Sequence, residues 1–185
     1  MNALGNDKVA DFINENFIAT YLKVGTFKII NGNKVGGNVA SYFCLYDGGV
    51  LHAVPGKTDA DTLLNEARWA AETRKSALTR ATNLATGKVD MPRYRALIRQ
   101  AHEERYFAAQ QGNVVRSQPA FVIPGITQLV PGKVLPAVLP RHASPQVQAH
   151  WLLAANTLGK LEYIYPIVWE KVLNERLSGL PVTKR

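Results

Sequence analysis

The chain has 185 residues, a formal net charge of +8 and one cysteine. This length suits one domain, or one small domain with an extension, and the 46% of hydrophobic residues predict a packed core. A single cysteine excludes an internal disulfide, and no apolar run is long enough to span a bilayer.

The beginning of the chain does not look like a secretory signal. Residues 1–17 have neither a basic start nor a continuous apolar stretch. By default we expect a cytoplasmic protein, and an exported one if the true N-terminus lies upstream of Met1.

The first half alternates segments that are typical of helices and of strands. Asn6 or Asp7 is a suitable N-cap for a helix that continues to Phe17. Residues 17–30 are rich in β-branched and aromatic side chains, which predicts one extended strand. The next stretch, "NGNKVGG", has the composition of a loop.

A β-hairpin and a long helix are expected next. The apolar runs "NVASYFCLY" and "VLHAVPG" flank Asp47-Gly48-Gly49, a tight turn that needs a positive φ. Thr58 and Asp61 resemble a capping box at a helix start. An apolar stripe at helical spacing follows, and Trp69 lies off that stripe, so we expect later parts of the chain to cover it.

The second half of the chain is predicted to consist of helices and a proline-rich segment. Asp90 caps a predicted helix over residues 90–111. Prolines then recur so often that residues 116–145 are predicted to form an extended, proline-rich arm. Two helices are expected over residues 145–178, one opening at Pro145. The second is expected to start near Tyr165-Pro166 and to end at Gly179.

Residues 6–80 resemble the second part of a thioredoxin-like domain. The resemblance rests on the order of "VADFINENFIATYLKV", "VASYFCLYDGGVLHAVPG" and "DADTLLNEARWAAE". It implies an α/β (α+β) fold, with an incomplete thioredoxin-like sheet and flanking helices in residues 1–82. Residues 83–185 would then be a helical, proline-rich C-terminal extension.

The chain departs from the thioredoxin-like pattern at both parts of the redox site. It contains no C-x-x-C motif, and Met1 stands where the helix carrying that motif would just have begun. Ser41 occupies the position that the family gives to a cis-proline. The resemblance therefore implies an N-terminally truncated module without redox activity, which acts in protein interaction or as a scaffold. We expect no enzymatic activity of the chain as given. The alternative is a fragment of a thioredoxin-like thiol-disulfide oxidoreductase whose catalytic N-terminal part is missing from this chain.

The single thiol lies in the middle of a predicted strand. By alternation Cys44 shares a face with Tyr42 and Tyr46, which favours a small buried side chain of low reactivity. The alternative is a weak catalytic thiol with His52, across the hairpin, as its base.

Metal and cofactor sites are not expected from the sequence. The histidines His52, His102, His142 and His150 have no established ligand spacing, and no carboxylate cluster accompanies them. The sequence thus predicts neither a metal nor a cofactor.

One helix face is basic. Arg95, Arg99 and Arg105 lie near His102 and Tyr106 at helical spacing, a pattern that is compatible with nucleic-acid binding. Neighbouring glutamates favour an ordinary solvated face instead, so we do not expect a nucleic-acid partner. A protein partner is expected, in line with a scaffold or interaction module.

The resemblance also implies a missing strand between residues 18–24 and 40–46. Those two strands are expected to pair directly and close a reduced sheet. Otherwise, the exposed strand edge is expected to lead to self-association.

Overall fold

The computed structural model describes residues 3–24, 27–36, 38–110, 134–177 and 183–184. Within these ranges the protein has an α+β fold, in which helices surround a small antiparallel hairpin. None of the helices in the described ranges is long and apolar enough to cross a membrane.

Five α-helices account for most of the regular structure in the described residues. They are α1 (Asp7–Asn16), α2 (Ala60–Ala81), α3 (Met91–Gln110), α4 (Pro145–Ala155) and α5 (Leu161–Ile167). Four of the starts are explained by side chains that accept a backbone N–H of the first turn: Asn6 for α1, Asp59 for α2, the predicted Asp90 for α3 and Ser144 for α4. The cap of α2 is therefore Asp59 and not the predicted Thr58.

The strands of the described ranges form three separate two-stranded antiparallel sheets. They pair β1 (Leu22–Lys23) with β6 (Thr183–Lys184), β2 (Phe27–Ile30) with β3 (Asn33–Gly36), and β4 (Ala40–Cys44) with β5 (Val50–Pro55). The turn between β4 and β5 has Gly48 at φ 82°, as the sequence predicts.

The predicted single strand over residues 17–30 and the predicted loop after it are wrong. Residues 27–36 instead form the hairpin β2–β3, whose turn has Asn31 at φ 51° and Gly32 at φ 77°. Asparagine and glycine adopt these left-handed conformations readily, which is why Asn-Gly favours a two-residue hairpin turn.

The expected pairing of residues 18–24 with residues 40–46 is also wrong. In the described residues, β4 pairs with β5 alone, and β1 pairs with β6. Residues 18–23 are exposed, with Ile18 at 99%. A segment that buries no face gains little from joining the central hairpin, because burial of a shared face is what holds a strand in register.

The hairpin β4–β5 is covered by helices on both faces. Phe43, Leu51 and Val54 pack in one cluster with apolar residues of α1, α2 and α3. Val50 and Ala53 pack in a second cluster with residues of α4, α5 and the turn after α5. Helix α4 lies against both β5 and α3. As a result, residues from both halves of the chain share one core around β5.

The end of the chain differs from the prediction. Helix α5 starts at Leu161 rather than near Tyr165, and it continues as a π-helical turn over Val168–Val172. Pro166 lies inside α5 and has no N–H to donate, so the helical hydrogen-bond pattern is interrupted there. The predicted end at Gly179 lies outside the described residues.

Only the end of the predicted proline-rich arm, residues 134–144, falls within the described residues, and it has no helix or strand. Residues 116–133 of the arm lie outside them. The indole N–H of Trp151 donates to the carbonyl oxygen of Pro136 at 2.8 Å. This bond ties the end of the arm to α4.

Candidate metal centre

The fold brings together three of the four histidines. His52 comes from β5, His102 from α3 and His150 from α4, and each is at most 2% exposed. One ring nitrogen of each lies within 4.8 Å of the corresponding nitrogens of the other two. We call these three residues the histidine cluster. His142 is exposed and lies outside it.

Each histidine of the cluster occupies a position where its element is buried. His52 stands in the middle of a strand whose first five residues are all buried. His102 continues the inward stripe of α3 after Tyr94 and Ile98, at a spacing of four residues. His150 follows the fully buried Ala149 in α4.

The hydrogen bonds of His102 fix its protonation. Its Nε2 lies 2.9 Å from the carbonyl oxygen of Leu51, which can only accept, so Nε2 carries the proton. The lone pair of Nδ1 therefore faces Nδ1 of His150, 2.9 Å away, which donates to it. The lone pair of His150 is then left on Nε2.

His52 is oriented by a carboxylate. Its Nε2 donates to Oε2 of Glu66 at 2.7 Å, which leaves the lone pair of His52 on Nδ1. The same carboxylate oxygen accepts from Nη1 of Arg105 at 2.5 Å. Glu66 thus balances the charge of Arg105 while it holds the imidazole of His52.

Two nitrogens of the histidine cluster are buried without a hydrogen-bond partner in the described part of the chain. They are Nδ1 of His52 and Nε2 of His150, the two atoms that carry lone pairs in the neutral rings. Buried polar atoms are nearly always paired, so two orphaned lone pairs in one cluster indicate a missing electrophilic partner.

Trp69 covers the histidine cluster. Its ring centroid lies 4.7 Å from that of His52, 5.1 Å from that of His102 and 5.4 Å from that of His150, with the planes steeply inclined. The guanidinium of Arg105 lies 4.4 Å above the indole. Later parts of the chain thus cover Trp69 in part, whereas the sequence predicts a buried position; the side chain is half-buried.

Burial keeps the three imidazoles neutral. It is the main reason why the pKa of each of the three histidines lies below its ordinary value, and it lowers the pKa of His102 to about 3. Burial alone would raise the pKa of Glu66, but its hydrogen bonds to His52 and the charge of Arg105 outweigh this and lower the pKa. We therefore assign an ionised Glu66, paired with Arg105, beside a neutral His52.

The cluster has the chemistry of a site for a transition metal. Neutral imidazole binds Zn²⁺, Cu²⁺, Fe²⁺ and Ni²⁺. Ligating histidines commonly donate their other N–H to a carboxylate or a carbonyl, as His52 does to Glu66 and His102 to Leu51. A tetrahedral Zn²⁺ sets its ligand nitrogens about 3.3 Å apart. Binding by all three rings would therefore break the hydrogen bond between His102 and His150, because a lone pair of each must face the ion, and would draw the widest pair together.

A surface groove leads from solvent to Trp69, the residue that covers the histidine cluster. It lies between α2 and α3, has a volume of about 300 Å³, and includes Trp69 in its wall. Glu72, Glu104 and Arg80 contribute charge to the lining. This groove is an approach from solvent to the indole that shields the three imidazoles.

The structure does not join Cys44 to His52. Cys44 lies opposite Val50, whereas His52 lies opposite Phe43 and bonds to Glu66. Burial raises the pKa of Cys44 to about 11, away from a nucleophilic thiolate. Ser41, which the resemblance places where the family has a cis-proline, lies opposite Val54 in the hairpin, and no peptide bond in the described residues is cis.

The predicted basic face is only partly solvated. Arg95 is exposed, but Arg99 bonds to Glu103 at 2.7 Å and Arg105 bonds to Glu66. His102 and Tyr106, which the sequence placed on the same face, are buried. That part of α3 turns toward the core because α4 packs against it.

Comparison with known proteins gives no family for this chain. No protein-family model matches it, and neither a curated protein nor a solved structure shows significant similarity.

Proposed function

We propose that this protein binds one transition-metal ion, of which zinc is the best example, through His52, His102 and His150. The observation that carries the proposal is the pair of buried, unpartnered lone pairs on His52 and His150, beside a third imidazole within 4.8 Å. An ion held by all three rings would give the unpartnered lone pairs of His52 and His150 a partner, and it would replace the hydrogen bond that His102 now accepts from His150.

The competing explanation is a histidine cluster that only fills the core. Each buried polar atom without a partner costs about 1–3 kcal/mol, so such a core would lose stability at two positions for no gain in packing. Apolar side chains of similar size would avoid that cost. Three nitrogen donors also favour Zn²⁺ and its neighbours over Mg²⁺ and Ca²⁺, which prefer oxygen.

The bound ion would join three elements that are distant in sequence. It would link β5, which belongs to the region resembling thioredoxin, to α3 and α4, which belong to the C-terminal extension. Because structural metal sites supply folding energy, the ion would stabilise the packing of the two regions. This role is compatible with the non-catalytic module that the sequence suggests.

Metal binding is tested by calorimetric titration of chelator-treated protein with zinc. We expect one ion per chain in the wild type, and an affinity that falls by about 100-fold or more in His102→Ala and His150→Ala, because each loses a ligand. His142→Ala is the matched control and should bind like the wild type, since His142 is exposed and outside the cluster.

Circular dichroism of each variant checks that it is folded before the titration. Unchanged zinc affinity in folded His102→Ala and His150→Ala proteins would contradict the proposal. Loss of binding in the His142→Ala control would contradict it as well, since the site would then lie elsewhere.

The interaction module remains a second proposal, with a second copy of this chain as the partner. The supporting observation is that β4 pairs only with β5 in the described residues, so one edge of β4 has no strand beside it there. We expect a concentration-dependent dimer in sedimentation, weakened by Tyr42→Pro, which removes a backbone donor from β4. A protein that stays monomeric at all concentrations would contradict this proposal without affecting the metal site.

A further inference from the structure

We propose that the metal ion in the histidine cluster carries a small monoanion, such as hydroxide or a halide, as its fourth ligand. This inference rests on the proposed metal site and concerns the part of it that the chain does not fill. It assigns the site an exogenous ligand of defined charge and size.

The first step is the count of protein ligands. The group of residues that can reach one ion comprises His52, His102 and His150, with no carboxylate or thiolate among the described residues. Glu66 is outside this group, and its Oε2 already accepts from Nε2 of His52 and from Arg105. Zinc prefers four ligands, so one position is left for a group from solution.

The second step is the charge of the site. Three neutral imidazoles leave a divalent ion with its full charge of two. The charged side chains that act on the cluster are Glu66 and Arg105, which have opposite signs and bond to each other, so together they cancel. A buried and uncompensated double charge is very costly. An anionic fourth ligand would halve it, whereas neutral water would not.

The third step is the size of the ligand. The three histidines are at most 2% exposed, and Trp69 lies within 5.4 Å of all three rings with Arg105 stacked on it. A cover this close favours the smallest anions as ligands. Sulfate and larger dianions would have to displace the indole.

The test uses protein loaded with one equivalent of Co²⁺, whose visible absorption reports its coordination. We expect sodium azide to change this spectrum saturably, and sodium sulfate at the same ionic strength to leave it unchanged. Azide is the probe because it is a linear monoanion of three atoms that binds directly to cobalt.

A pair of variants with opposite charge changes makes the test specific. Glu66→Gln leaves the charge of Arg105 unbalanced and should tighten azide binding by roughly tenfold, whereas Arg105→Gln should weaken it by roughly tenfold. The cobalt absorption before azide addition confirms that each variant is loaded, since Glu66→Gln also loses the carboxylate that orients His52.

The possible outcomes separate this inference from the metal site itself. A cobalt spectrum that does not respond to azide, or that responds equally to sulfate, would overturn the anionic fourth ligand. A change of the azide affinity in the same direction in both variants would overturn it as well. Each of these outcomes leaves the metal site standing. If the wild-type protein gives no cobalt absorption beyond that of the free ion, both proposals fail together.

Discussion

The metal-free protein is expected to lose about 3 kcal/mol of its free energy of unfolding between about pH 7.5 and about pH 5.5 from His102 and His150, and His52 adds to this loss. In the folded state their pKa values lie below the ordinary value of 6.5 because they are buried. In the unfolded state they titrate normally. As the pH falls through 6.5, the unfolded chain takes up protons that the folded chain does not, so the free energy of unfolding decreases. The decrease stops only when the pH reaches the pKa values of the histidines in the folded state.

Urea unfolding at several pH values measures this loss, and variants assign it to the histidine cluster. Replacing His150 by leucine should reduce the loss by about half of this amount, the share of one of the two groups over this interval. His142→Leu should leave it unchanged, because His142 is exposed in the folded state as well. An equal pH dependence in the wild type and in His150→Leu would show that the cluster histidines titrate normally, contrary to this prediction.

Trp69→Ala should lower the free energy of unfolding by about 3–5 kcal/mol at neutral pH, the usual cost of removing a large aromatic ring from a packed site. Trp69 is in contact with all three histidines and supports the guanidinium of Arg105, so its loss would expose the buried imidazoles. Trp69→Phe retains a ring and should lose much less.

The same urea titrations measure both tryptophan variants. A loss below about 1 kcal/mol in Trp69→Ala would mean that Trp69 behaves as a surface residue. Release of a bound metal from Trp69→Ala should also be faster than from the wild type, because the indole no longer covers the cluster.

Local features of the fold were largely predictable from the sequence. Ser144-Pro145 marks the start of α4, and Gly48 marks the turn of the central hairpin, because caps and turns depend on a few neighbouring residues. The same reasoning applied to Asn31-Gly32 would have predicted the hairpin β2–β3. The π-helical turn after Pro166 was not predictable, since it depends on how the surrounding core accommodates the missing hydrogen bond.

The histidine cluster could not be predicted from spacing, because its members meet only after β5, α3 and α4 pack together. A weaker signal was nevertheless present in the sequence. His102 falls in the apolar phase of α3, and His52 stands inside an apolar strand. A histidine at a core position needs a polar partner. When a small domain contains several such histidines, they are candidates to be each other's partners.

The resemblance to thioredoxin-like domains remains a prediction. It rests on the order of a helix, a hairpin and a long helix, which the structure contains as α1, β4–β5 and α2. The described sheets are separate and two-stranded, so they contain no extended central sheet that would strengthen the resemblance.

X-ray absorption at the zinc edge of zinc-loaded protein tests the metal site most directly. In buffer free of halide we predict a nearest shell of four nitrogen or oxygen ligands at about 2.0–2.1 Å, with the outer scattering of three imidazole rings. The scattering of one ring should be lost in His150→Ala. A sulfur ligand at about 2.3 Å, which only Cys44 or a methionine could supply, or a shell without imidazole scattering would contradict a centre built from His52, His102 and His150.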